Sequence, residues 1–165
     1  MPKPYYKVVM YADESGVLSA SAVREKMGIE ASSLKKYLRA LMREGLIERL
    51  EEDKYVLTDL GKALKRSLEN LRGNIGAPKY VVTDPSSNRE VPLQFSNYKQ
   101  LLAIIENDLV DRRLLEQHLQ RGYIAEWASS GLGDEFLRML IRGGAIKSLD
   151  DLANYIRSIL SVIEA

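Results

Sequence analysis

Between Leu34 and Leu71 the hydrophobic pattern changes period twice, and few folds accept that order. Leu34, Leu38, Leu41 and Met42 recur at i, i+4, i+7 and i+8, which lines one face of an amphipathic helix. In "LIERLEEDKYVLT" the residues alternate instead around the polar turn "EED", the pattern of a short antiparallel hairpin over 46–57. Helical spacing then resumes at Leu60, Leu64, Leu68 and Leu71, with Thr58 or Asp59 as the cap and Gly45 as the stop of the earlier helix.

Two further helices precede this unit. "YYKVVMYAD" places Tyr5, Val8, Val9 and Ala12 on one face, and "SAVREKMG" opens after Ser19 or Ser21 and ends at Gly28. The next helix, from Leu34 to Glu44, is predicted to be capped by Ser32 or Ser33. Opposite its leucines lie Lys35, Arg39 and Arg43 in one i, i+4 row, with Lys36 beside them and Arg49 beyond the glycine. Between Ser32 and Gly45 the only acid is Glu44. Such a run serves either as a solvated helix face or as a surface that meets phosphates.

A small-residue helix, a Ser-capped basic helix, "EGLIER" and "YVLTDLGKAL" in that order resemble the winged helix-turn-helix of archaeal and bacterial transcription regulators, over roughly residues 5–72. The resemblance implies a DNA-binding regulator whose basic helix enters the major groove of duplex DNA. Physics supports the same placement. The major groove admits an α-helix, and a helix N-terminus offers N–H groups and a positive dipole end to phosphate. Ser32 and Ser33 become phosphate or base-edge donors, Lys35, Lys36 and Arg39 follow along the exposed face, and Tyr37 reaches sugar or backbone. Arg43 is assigned to a flanking phosphate, and Lys54 on the wing has a minor part.

The wing resists this reading, because Glu51, Glu52 and Asp53 at its tip are acidic and phosphate repels them. A pI near 7.9 is also below the value above about 9 common for strongly basic DNA-binding domains. The other reading is therefore a protein–protein adaptor that uses the winged helix as its interaction module. The net charge of +1 divides into +3 over residues 1–75 and −2 over 76–165, a small hint of two units with different jobs.

Those units are predicted as a winged helix over 1–73, a linker over 74–79 in "RGNIGAPK", and a mostly helical region over 80–165. The fold class is mainly α with small β-hairpins. "KYVVTD" and "REVPLQF" flank the turn "PSSN" as two short strands, with Pro92 marking the second as an edge or a brief strand. Helices follow at about 97–107, 111–120, 123–129, 133–142 and 148–163. Within this region His118, Arg121, Tyr123, Trp127, Leu132, Gly133 and Asp134 weakly resemble the pattern of an uncharacterised prokaryotic helical domain over about 80–142. His118 reads as a packed histidine near Trp127 or as a ligand contact, and Asp134 as a first-turn acid or, paired with Glu135, a capping acid at a helix start. The apolar last helix, with Leu149, Leu152, Ile156, Ile159 and Leu160, either crosses the C-terminal core or pairs with another chain. The second option predicts a homodimer on paired half-sites, and a protein partner for the C-terminal region is the other expectation.

Cysteine is absent and His118 stands alone, which excludes disulfides, thiolate nucleophiles and an ordinary zinc centre. No glycine-rich phosphate loop or second histidine accompanies the acids, so neither catalysis nor a cofactor is expected. No apolar stretch approaches the ~20 residues of a membrane span, and a cytoplasmic protein without membrane contact is predicted.

Overall fold

A computed structural model describes residues 2–73, 76–84 and 89–164 of the 165-residue chain. Part of the expected linker (74 and 75) and the expected turn "PSSN" (85–88) lie outside the described residues. The chain begins with a 3-10 helix, Pro4–Tyr11, where an ordinary helix was expected; Tyr6, Val8 and Val9 are buried along it. Next come β1 (Val17–Ser19), α1 (Ala20–Met27), α2 (Ala31–Arg43), β2 (Ile47–Glu51), β3 (Lys54–Leu57) and α3 (Asp59–Gly73).

β2 and β3 form the hairpin read from the sequence, with Ile47 opposite Leu57 and Glu51 opposite Lys54. The alternation gave no sign of β1, which adds to the free edge of β3 and pairs Val17 with Val56 and Ser19 with Lys54. A β1–β3–β2 sheet and three helices make the winged helix of the N-terminal region. Ser19 caps α1 by accepting the Ala22 N–H, and Gly28 ends it in the left-handed conformation at φ 64°.

α3 crosses the sheet at a point fixed by one glycine. A Cβ on Gly61 would overlap the Leu46 carbonyl oxygen and lie 3.3 Å from Leu57 Cδ2. Only a residue without a side chain lets α3 come that close to the strand entry. Thr58 sets the register: its hydroxyl donates to the Gly45 carbonyl at 2.5 Å and accepts the Gly61 N–H at 3.1 Å.

The C-terminal region is a two-stranded antiparallel ribbon followed by helices. β4 (Tyr80–Asp84) pairs with β5 (Arg89–Phe95), and Tyr80 lies opposite Phe95. Then come α4 (Tyr98–Glu106), α5 (Arg112–Gln120), α6 (Tyr123–Trp127), a π turn over Ala128–Leu132, α7 (Glu135–Arg142) and α8 (Leu149–Ile163). α8 lies across the C-terminal core, the first of its two expected roles: Leu149, Leu152, Ile156 and Ile159 are all fully buried within the chain.

The same core runs without a break into the winged helix. The Tyr6 ring meets Phe136 of α7 edge-on at 5.8 Å, and Ser67 of α3 accepts the Phe136 N–H at 3.1 Å. Asn70 of α3 donates to the Gly133 carbonyl at 2.9 Å.

Candidate nucleic-acid interface

α2 starts three residues before the expected Leu34, and Glu30 holds the N-cap position without a side-chain cap bond. Ser32 and Ser33 are therefore not caps but members of the first turn, Ser32 exposed and Ser33 half-buried. Both still sit at the end whose unpaired N–H groups carry the positive dipole. Leu34, Leu38 and Leu41 are buried as their spacing requires, whereas Met42 is 37% exposed and belongs to the rim of that face.

On the outward face Lys35, Lys36, Arg39 and Arg43 are all exposed. No carboxylate within ion-pair distance answers any of the four among the described residues. Tyr37 is half-buried and leans on Tyr5 at 6.3 Å between ring centroids, so it stands at the edge of the basic face.

Of the acids at the two ends of α2, Glu30 stands exposed at the N-cap, whereas Glu44 is turned away from that face. Glu44 at the C-cap of α2 binds the Lys3 ammonium at 2.7 Å and accepts hydrogen bonds from Tyr5 and, at 3.4 Å, Tyr6. Burial and the Glu44 carboxylate together push both phenols above their ordinary range. The sequence showed this acid but not its partners, which stand about forty positions upstream.

The wing tip keeps its acidic, exposed character, but one of its carboxylates is fixed in place. Asp53 folds back onto the start of α1: its carboxylate accepts from the Ser19 hydroxyl at 2.8 Å, the Ser21 hydroxyl at 2.9 Å and the Ser21 N–H at 3.1 Å. Its carbonyl accepts the Ala20 N–H at 2.8 Å. The Ser19 and Ser21 hydroxyls hold the Asp53 carboxyl below its usual range, ahead of smaller help from the Ser21 N–H and Lys54. Glu51 is 3.7 Å from the ammonium of Lys54, which spends part of that cation on its neighbour. Arg49 reaches the Glu51 carbonyl at 3.4 Å and closes the turn.

The polar centres of the C-terminal region serve packing. His118 is buried between the Tyr80 hydroxyl at Nδ1 and the Thr83 carbonyl, 2.7 Å from Nε2. A carbonyl only accepts, so Nε2 carries the hydrogen. Trp127 donates to the Pro78 carbonyl at 2.8 Å and meets Phe95 edge-on at 5.0 Å. Asp134, fully buried, takes the capping role expected of it as the N-cap of α7, one position ahead of the first turn, and it gathers the hydroxyls of Tyr98 and Tyr155 and the Leu137 N–H. Among the described residues no cluster of His, Asp and Glu has the arrangement of a metal site.

Residues 13–75 match the family model of the winged helix-turn-helix, which takes in β1, both helices of the turn, the wing and α3. No curated protein and no solved structure matches the chain. Among the described residues no helix is long and apolar enough to cross a membrane.

Proposed function

From a winged helix-turn-helix whose second helix is basic on its outer face, we propose that the protein is a non-enzymatic transcription regulator that binds duplex DNA through α2. The observation that carries this reading is the set of four exposed cations without acidic partners, Lys35, Lys36, Arg39 and Arg43. An ordinary solvated face intersperses both signs, and this one does not. Ser32 and Ser33 at the N-terminal turn donate to phosphate or a base edge, Lys35, Lys36 and Arg39 run along the groove, and Arg43 meets a flanking strand. Tyr37 contacts sugar at the margin. Lys54 contributes little because Glu51 already neutralises part of it.

Asp53 is tied to the serines of α1 but stays exposed and ionised, so with Glu52 it leaves the wing tip repelling phosphate. Glu52 is exposed at the tip, so the wing adds no attraction and α2 carries the affinity. The rival reading as a protein adaptor keeps this acidic corner as its support.

Fluorescence anisotropy of generic duplex DNA at two salt concentrations separates the two. Four phosphate contacts give a slope of log K against log salt of about −3.6 for one copy and about −7 for two copies. The triple variant Lys35→Ala/Lys36→Ala/Arg39→Ala should flatten that slope and lose most of the affinity. Absence of binding at low salt from folded protein would point to the adaptor. The slope also reads the stoichiometry, for which the buried face of α8 supplies no dimer contact.

A further inference from the structure

A cavity of about 260 Å³ opens between the winged helix and the C-terminal region. At about 30 Å³ per water it holds some nine solvent molecules, a volume suited to a small ligand. Its wall is made by Glu44, Lys3 and Tyr6, by the apolar Leu140 and Ile146, and by Asp151, Asn154 and Tyr155 of α8. The described carboxylates in this wall outnumber its ammonium by two to one.

The Lys3 ammonium shows which chemistry this wall selects. It rests 2.7 Å from Glu44 and 5.6 Å from the centroid of the Tyr6 ring, so a carboxylate and an aromatic face hold one cation together. That side chain keeps 42% of its exposure, whereas Tyr6 and Tyr155 are nearly fully buried. The cation thus sits on a partly exposed side chain, between a half-buried carboxylate and a tyrosine ring fixed in the core. The Asp151 carboxylate is likewise fixed, by the N–H groups of Lys147 at 2.9 Å and Ser148 at 3.2 Å.

We propose that this cavity is a binding site for a small aliphatic amine, whose ammonium replaces that of Lys3 between Glu44 and Tyr6 while its carbon chain lies along Leu140 and Ile146. A second ammonium on the same chain meets the Asp151 carboxylate in the same wall, so α,ω-diamines bind more tightly than monoamines. Lys3 acts as a tethered competitor. Glu44 closes the C-terminal end of α2, which puts the ligand against the helix proposed to read DNA. Occupancy itself does not depend on that reading.

The test is an NMR titration of the full chain with 1,5-diaminopentane, n-pentylamine and 1-pentanol at constant ionic strength. The amines should shift the amide signals of Tyr6, Glu44, Ile146 and Asn154, in the affinity order diamine, monoamine, alcohol. Lys3→Met removes the competitor and should tighten amine binding by about two- to fivefold, the range of a partly exposed ion pair. Glu44→Gln should abolish the preference of the amine over the alcohol. Equal binding of pentanol and pentylamine would overturn the proposal, as would silence from both amines in wild type and folded Lys3→Met. DNA binding is measured separately in amine-free buffer, so failure of either claim leaves the other standing.

Discussion

Asp134 is a carboxylate with no light of solvent and no cationic partner among its described contacts. Burial pushes its carboxyl above the usual range, and the Tyr98 and Tyr155 hydroxyls, the Leu137 N–H and the Ser67 hydroxyl pull part of the way back. The folded state therefore takes up a proton more readily than the unfolded chain. Its contribution to stability is full below the unfolded value of about 3.9 and is lost as pH rises through the raised folded value. Asp134→Asn should remove this term, so urea unfolding at pH 4.5 and 7.5 should show the variant losing less stability than wild type across that interval. An identical pH slope in the two proteins would mean that the carboxyl is not displaced. None of this was legible from "LGDEF", where a charged residue beside another acid reads as an exposed start of helix. The signal was missing because Ser67, Tyr98 and Tyr155 converge from three other helices.

At the scale of elements, the crossing of α3 over the entry to β2 is the tightest joint in the winged helix. Gly61→Ala forces a methyl group onto the Leu46 carbonyl oxygen, which belongs to backbone and yields little. Overpacking of this kind costs about 1–3 kcal/mol, which should lower the thermal unfolding midpoint of the variant by roughly 2–12 °C. An unchanged midpoint would show that α3 can slide. The elements themselves were largely readable. Leucines three and four apart gave α2 its buried face, and the bases fell on the other arc by the same 3.6-residue period. The cap was misplaced because Ala31, Ser32 and Ser33 accept helical backbone as readily as they flank it. β1 escaped because its three residues are too few to show alternation and pair with a strand almost forty positions away. The Asp53 latch onto Ser19 and Ser21 escaped for the same reason, a contact made across 32 to 34 residues.

Taken whole, the molecule has one buried core to which both regions contribute, although its charge and its turn-rich middle had divided it into two. Leu64 and Leu68 of α3 have no exposure, and this helix packs against α7 and α8 as well as against the 3-10 helix. Urea unfolding followed by far-UV circular dichroism and by fluorescence of the single Trp127 should therefore trace one coincident transition. Two separated midpoints would make the regions independent domains. The backbone N–H of Lys3 donates to the Ser158 hydroxyl at 3.0 Å, a contact between residues 155 apart in the chain. On the ribosome, then, the Lys3 segment has no finished seat until α8 has followed it out. Tyr5 and Tyr6, whose hydroxyls hold Glu44 at the C-terminal end of α2, therefore gain their final setting only once α8 has been made.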